Sequence, residues 1–579
     1  MKTGVDVSKA FSPKFITNEI KLLVTISCFF NWFVVLNGLK LLIVHLLLDS
    51  HQIDAFIIIT LAGYMISSFI YFFLPIIIGG RCLFALFYLL QIVYLSVVLT
   101  YKFIFFINIH ASIATTLAWE FRSVFTSTLT WETGIALLIA AIDFPVVVKI
   151  FRKFNAIQYQ IRCDTGLLFR HLSTAILMFM LIITSVNAYE DVQSAKYSGA
   201  YYKVEDYSLH YYGMFASTYA ELYNLKNTNE LIHTHNSEYN KNIRVIKSVS
   251  QKSMITPSYL LIQVESLDAN IINYSWHGMY VAPFLNRLSK SSIYFPYALS
   301  YHLAGGTSDS EISILNNIEP LSDTLTVSIE GYTFPNSLPM VFRKNGYTVN
   351  SFHGNTGEFF NRNVAYSKMG FSMFYDQTRM RLSSEGWGAS DRKVFDYAAK
   401  VMESSNRPSF DYVITMSSHE PFTNVLNYYS SSIYNDIGSV KLKNYFISIE
   451  YVDRMLENFI NKIRERQPNT YIFVFGDHTP YVLNSGSYKR ASFELNNFSF
   501  EFVPLFIITP DNAKRIESER AVSFMDIAPT ILKSSNAQYT YNIMGENLLW
   551  DFGDISIPYR GKQYDRKQLF QLAKKTVLR

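Results

Sequence analysis

Five runs of mostly apolar residues, 21–48, 53–78, 82–107, 134–148 and 167–188, crowd into the first third of this 579-residue chain. Most exceed the roughly 20 residues an α-helix needs to cross a bilayer. Nothing else in the sequence limits the fold as much, and composition agrees. Hydrophobic residues make up 49% and charged ones only 17%, an apolar excess that a wholly soluble protein struggles to bury. The expectation is a membrane domain of five helices. Asp143 and Pro145 interrupt the fourth run, for which a buried core helix is the alternative.

Basic residues set the orientation. Lys2, Lys9, Lys14 and Lys21 precede the first run, Arg81 separates the second from the third, and Lys149, Arg152, Lys153, Arg162 and Arg170 lie between the fourth and fifth. These belong to the cytoplasmic side. The alternate loops, 51–52 and 110–131, are poor in Lys and Arg. The first run lacks an Ala-x-Ala cleavage pattern, so it reads as a retained anchor. The chain is therefore expected to be a multi-pass protein of the cell (inner) membrane, with its N-terminus cytoplasmic and everything after about Ala188 extracytoplasmic. A formal net charge of +5 without a long basic run gives no support to a nucleic-acid partner. Cys28, Cys82 and Cys163 all precede the outer part, which must be held by a core without disulfides.

Three parts follow: a five-helix transmembrane domain over 1–189, an amphipathic linker over 190–257, and an outer domain over 258–579. The linker is tyrosine-rich, and 207–225 has the spacing of a helix lying at the membrane interface or packed on the next domain. Beyond it, short apolar runs at 259–266, 347–354, 411–418, 470–477 and 503–510 alternate with helical patterns at 282–291, 337–344, 392–404 and 445–466. The runs are continuous in apolar character, as strands covered on both faces require. This predicts an α/β domain with a mostly parallel sheet.

In open α/β sheets ligands sit beyond the carboxyl ends of the strands. Glu265 ends the first run, His353 the second, His419 follows the third, and Asp477 and His478 end the fourth. A histidine at one strand end is usually unremarkable, but four strands delivering acids or imidazoles to one edge point to a shared site. Glu265, Asp477 and His478 make a ligand set suited to Zn or Mn, with room for another oxygen. Thr307, in "GGTSDSE" at 305–311, is placed to give that oxygen, and a divalent ion would favour its alkoxide. Gly305 and Gly306 allow close backbone approach, and a helix starting near Ser308 would turn its amides toward an anion. Ser308 and Glu311 also have capping-box spacing.

Other chemistries lack their motifs. The sequence has no Cys-x-Pro-x-Arg, no Gly-Lys-Ser/Thr phosphate loop, and no Gly-x-Ser-x-Gly at a strand-to-helix turn. Metal-assisted displacement at phosphorus through a threonine remains.

Taken in order, "VES" at 264–266, "APFLNRL" at 282–288, "GGTSDSE" at 305–311, "FHGN" to "FFNR" at 352–362, "SSHEPF" at 417–422, "FGDHTP" at 475–480 and "DIAPTIL" at 526–532 resemble the lipoteichoic acid synthase and phosphoglycerol transferase group of the alkaline phosphatase-like (sulfatase) superfamily. The resemblance covers the whole outer domain. It implies that Thr307 attacks the phosphorus of a phospholipid headgroup, phosphatidylglycerol by preference, and passes glycerophosphate to a hydroxyl of a glycan or glycolipid. It implies Glu265, Thr307, Asp477 and His478 as ligands of one divalent ion, manganese in most of the group with Zn or Mg as alternatives. It sets His353, Arg362 and His419 around the phosphoglycerol group, a role that suits the guanidinium fork of arginine. The chain departs from the group in having Phe360 where a tryptophan can occur and Gly306 where a lysine can, which leaves headgroup and acceptor open and His302 unassigned. A phosphoethanolamine transferase of the same fold is the alternative, disfavoured by the lack of outer cysteines.

Overall fold

The computed structural model describes residues 33, 35–47, 64, 80–105, 131–163, 244–248, 256–302, 306–320, 325–329, 332–334, 336–480, 482, 488–495, 498–549, 553 and 555–577. The chain divides into two compact units, Met1–Ile109 with Thr128–Leu222, and His110–Ser127 with Tyr223–Arg579.

The first unit contains α1 (Val35–Leu47), α2 (Arg81–Phe105), α3 (Trp131–Ala140) and α4 (Phe144–Cys163). Among the described residues α2 alone is long and apolar enough to cross a membrane, and α3 with α4 passes as one span bent by 42°. The third expected span thus corresponds to α2. The first is described in part, as the shorter apolar helix α1, and the second and fifth fall outside the described residues apart from Tyr64. Five spans are therefore not established. The fourth is broken where Asp143 and Pro145 foretold it. Asp143 turns its carboxylate to Lys40, with Nζ 2.9 Å from Oδ2, and also accepts from Asn37 and from the Tyr88 hydroxyl. The basic residues 149–162, expected in a cytoplasmic loop, instead continue α4, because Lys, Arg and Gln propagate a helix well.

The second unit has, in chain order, β1 (Arg244–Ser248), β2 (Ser258–Val264), α5 (Pro283–Ser291), β3 (Ile293–Leu299), α6 (Thr307–Asn316) and α7 (Leu338–Lys344). Then come β4 (Thr348–His353), α8 (Arg362–Met369), β5 (Met373–Tyr375), α9 (Asp391–Glu403), β6 (Ser409–Ile414) and α10 (Val440–Arg466). The last part holds β7 (Thr470–Gly476), β8 (Ser492–Leu495), β9 (Phe498–Ile508), β10 (Arg515–Ile516), β11 (Val522–Ser523), α11 (Ile527–Ser534) and β12 (Tyr539–Ile543). Ten strands make one sheet along the order β10-β3-β9-β7-β2-β6-β4-β5, with β8 beside β9 and β11 beside β3.

The four adjacent strands β7, β2, β6 and β4 are parallel, whereas β9 runs antiparallel to both β7 and β3. The sheet is mixed and mostly parallel, and the last predicted strand is its antiparallel member. β1 lies within the expected linker yet pairs antiparallel with β12, so this part of 190–257 belongs to the outer unit. The predicted helix at 207–225 falls outside the described residues.

Side-chain alternation along β2 divides the core. Leu260, Ile262 and Val264 join a cluster with Val394, Phe395 and Met402 of α9 and Tyr445, Ile449, Val452, Leu456 and Ile460 of α10. Asp453 of α10, also buried, accepts from the Phe284 and Leu285 amides and so caps the start of α5. On the opposite face Tyr259 packs against Phe342 of α7, and Gln263 donates to the Thr307 carbonyl at 3.0 Å. One residue of β2 thereby fixes the start of α6 at the carboxyl edge of the sheet.

Candidate active site

Register puts the four parallel strand ends level. Val264 is opposite Gly476, Gln263 is opposite Ile414, and Ile414 is opposite His353. The next residues out are therefore the functional ones. Glu265 is anchored by its amide on Thr415 Oγ1 and by its carbonyl on Ser418 Oγ. Asp477 Oδ1 accepts from the Ser266 and His478 amides, both at 2.8 Å. Gly476 is required for this approach, since a Cβ there would lie 2.1 Å from the Leu267 carbonyl oxygen.

Glu265, Asp477 and His478 are all buried, and each offers a ligand atom within 4.8 Å of the others. His478 Nε2 is 3.2 Å from Glu265 Oε1. Thr307 donates from Oγ1 to Glu265 Oε2 at 2.9 Å, so the threonine predicted as nucleophile stands in the same cluster. Asp477 Oδ2 is buried and bonded to no protein group. An orphaned carboxylate oxygen among a second carboxylate, an imidazole and a hydroxyl is the donor set a divalent cation would satisfy.

Electrostatics point the same way. Burial and the neighbouring Glu265 charge push the Asp477 carboxyl well up. Glu265, despite burial, is held below the usual carboxylate range chiefly by His478. Against burial, Asp477 and Glu265 raise His478 to about 10.

Three imidazoles surround this centre in one pattern. His478 donates from Nδ1 to the Thr479 carbonyl at 2.9 Å, His419 to the Glu420 carbonyl at 2.6 Å, and His353 to the Ile414 carbonyl at 3.3 Å. A carbonyl only accepts, so the proton is on Nδ1 and Nε2 is left for a ligand. Burial lowers the pKa of both His353 and His419, and Arg362 adds to the effect on His353, bringing it to about 3. These two rings are neutral at physiological pH.

Arg362 is also close, but its fork is mostly occupied. Nε and Nη2 bind the Glu311 carboxylate, at 3.1 and 2.6 Å, and Tyr366 donates to the same group. Only Nη1 is left, buried and without a protein partner. Two of its three guanidinium nitrogens are therefore engaged within the protein.

The expected capping box does not form either. Gly306 is the N-cap at φ +53°, no side chain caps α6, and Thr307 is already its first residue. Glu311 prefers Arg362 because an ion pair satisfies a buried carboxylate better than one amide does. Gly305 lies outside the described residues.

One contributor escaped the sequence reading. Glu501 of β9 accepts through Oε2 from the Thr479 amide, the Thr479 hydroxyl and His302 Nδ1. His302 in turn stacks on His478, with ring centroids 4.4 Å apart and planes at 20°. His302, unassigned from the sequence, therefore walls in a metal-site imidazole. The signal for Glu501 lay in "FSFEFV" at 498–503, where alternation sets Ser499 and Glu501 on one face and three phenylalanines on the other.

Residues 257–537, the part that holds this mixed sheet and the buried acid, imidazole and threonine beyond its strand ends, match the Sulfatase family model. The chain is similar to lipoteichoic acid synthase 2 of Bacillus subtilis (strain 168), 28% identical over 340 residues, which are 53% of this chain and 51% of the relative. Lipoteichoic acid synthase of Staphylococcus aureus (strain USA300) is 28% identical over 327 residues, 53% of this chain and 49% of the relative. The chain spans about half the length of these curated relatives.

Among solved structures, the integral membrane protein lipooligosaccharide phosphoethanolamine transferase A (EptA) from Neisseria meningitidis matches with a TM-score of 0.52 at 11% identity, over 88% of this chain and 96% of that one. That likeness shows the fold. The lipoteichoic acid synthase LtaP from Listeria monocytogenes matches with a TM-score of 0.46 at 22% identity, over 54% of this chain and 79% of that one.

Proposed function

We propose that this protein is a membrane-anchored transferase of cell-envelope biogenesis that moves glycerophosphate from phosphatidylglycerol to a hydroxyl of a glycan or glycolipid. The observation that carries the proposal is the 2.9 Å hydrogen bond from Thr307 to Glu265 inside the buried Glu265, Asp477, His478 cluster. The two lipoteichoic acid synthases support the reaction class and, with it, a lipid donor. Likeness of fold to an integral membrane protein over 88% of the chain supports the anchor, as do the apolar helices of the first unit.

Glu265, Thr307, Asp477 and His478 would hold one divalent cation, Mn²⁺ by preference, which supplies positive charge to the phosphate and favours the threonine alkoxide. Thr307 Oγ1 attacks phosphorus, its proton leaving along the hydrogen bond to Glu265. The phosphorus bond to the diacylglycerol oxygen breaks, and diacylglycerol leaves as the alcohol after taking up one proton. Neutral His353 and His419, protonated at Nδ1, accept at Nε2 from the glycerol hydroxyls, and Arg362 meets a phosphate oxygen with Nη1. In the second step an acceptor hydroxyl attacks, the Thr307 Oγ1 bond to phosphorus breaks, and a proton returns to the threonine.

The alternative, a phosphoethanolamine transferase of the same fold, would take phosphatidylethanolamine as its donor. Incubating the full chain with each lipid in turn separates the two. Diacylglycerol release from phosphatidylglycerol, abolished by Thr307→Ala, is expected. Release from phosphatidylethanolamine alone would replace the proposed donor.

A further inference from the structure

Beside the cluster lies an aromatic wall to which the proposed chemistry gives no work. Trp387 is half-buried, with its ring 5.3 Å from that of His419 at 35°. Phe359, also half-buried, meets Trp387 edge-on at 6.4 Å and touches Phe360 at 4.3 Å. Among the described residues none accepts a hydrogen bond from the Trp387 indole N–H.

The wall is built and not incidental. Its loop turns at Gly386, whose φ of +97° suits glycine, and a Cβ there would lie 2.3 Å from Asn424 Oδ1. The same Asn424 oxygen accepts from the Trp387 amide at 3.0 Å. Asn424 is buried and donates to the Met416 carbonyl at the end of β6, so Trp387 is tied to the strand that delivers His419. Behind it Gly388 and Gly354 bring two backbones together, since a Cβ on Gly388 would lie 2.5 Å from the Gly354 oxygen. That contact ties the loop to β4 and His353.

The surroundings of Trp387 decide what it is for. The residues before it are Ser383, Ser384, Glu385 and Gly386, without one aliphatic side chain. Lys393 binds both Ser383 and Glu385, and the Lys393 and Glu385 side chains are 27% exposed, so charge and hydroxyl groups occupy the turn that leads into Trp387. An acyl chain needs a continuous apolar trough. A sugar ring needs one flat apolar face for its C–H groups and polar neighbours for its hydroxyls, which is what Trp387 and this turn offer.

We infer that Trp387, flanked by Phe359, is a stacking platform for a hexose ring of the acceptor glycan, placing one of its hydroxyls toward the phosphorus held beside His419. This rests on the transferase reading for its purpose but not for its test, which measures sugar binding alone. The full chain in detergent micelles is mixed with maltotetraose, cellotetraose and chitotetraose, and saturation-transfer NMR reads contact between aromatic protons and each sugar. Binding of at least one oligosaccharide is expected, about tenfold weaker in Trp387→Ala and within about threefold of the parent in Trp387→Phe. Trp276, partly exposed on the hairpin at 275–280 and bonded to Asp436, is the control, and Trp276→Ala is expected to bind as the parent does. Failure of the parent to bind any of the three sugars, or equal binding by Trp387→Ala, overturns the inference. Failure of phosphatidylglycerol cleavage with sugar binding intact would instead overturn the donor reading.

Discussion

Arg362 Nη2 lies 2.6 Å from Glu311 Oε1, with both side chains almost fully buried, and so joins α6, the helix that starts at Thr307, to the first residue of α8. Breaking one half of a buried pair strands the other charge, at a cost of about 3–5 kcal/mol. Glu311→Ala is therefore expected to lose stability on that scale in denaturant unfolding. The double variant Glu311→Leu with Arg362→Met should regain most of it, while losing phosphate binding.

Glu501 and His302 are expected to act on the metal through His478. Removing a partner that orients a ligand typically weakens metal affinity 10- to 100-fold. Glu501→Gln should lower Mn²⁺ affinity within that range in titration calorimetry, with the fold intact by circular dichroism. An unchanged affinity would reduce the Glu501 network to packing.

How legible these features are depends on whether their cause is local. The strands 258–264, 348–353, 409–414 and 470–476 are visible because a doubly covered strand must be apolar throughout, and that requirement also points to Glu265, His353, Asp477 and His478 as the residues after the apolar run stops. β3 is hidden by Pro296, which cannot donate to a ladder. It survives because pairing between β3 and β9 shifts register between Val503 and Leu505, at Pro504, so both prolines sit at an irregularity. The direction of β9 is likewise invisible in its composition. Glu311 misleads for a related reason: its spacing to Ser308 suggests a local bond, while its real partner, Arg362, lies 51 residues on.

His353 gives a pH signature. Burial, with Arg362 nearby, lowers its folded pKa to about 3 from an ordinary 6.5. Between these values the unfolded chain binds more protons, so stability present above pH 6.5 is lost as pH falls toward 3. The whole window is worth on the order of 5 kcal/mol. His353→Gln should flatten this acid-side loss in unfolding measured from pH 7 to pH 4, whatever it does to stability at pH 7.

In the first unit, Lys40 and Asp143 are buried together with Asn37, Gln91 and Tyr88, and Lys40 Nζ bonds both Asp143 oxygens and Gln91 Oε1. Charges at such a depth survive only as a satisfied set. Lys40→Met is expected to lower the thermal midpoint in detergent by several degrees, and Lys40→Met with Asp143→Leu to restore much of it. No change on Lys40→Met would mean that Asp143 finds its neutralisation elsewhere.

The account stands or falls on the oxygen that carries the phosphoryl group. The full chain, incubated with phosphatidylglycerol and Mn²⁺ without acceptor, is quenched in acid and its peptides are read by tandem mass spectrometry. A glycerophosphoryl adduct on Thr307, absent when phosphatidylethanolamine is the only lipid, is predicted. Consumption of phosphatidylglycerol with Thr307 unmodified, or with the adduct on another residue, would contradict it.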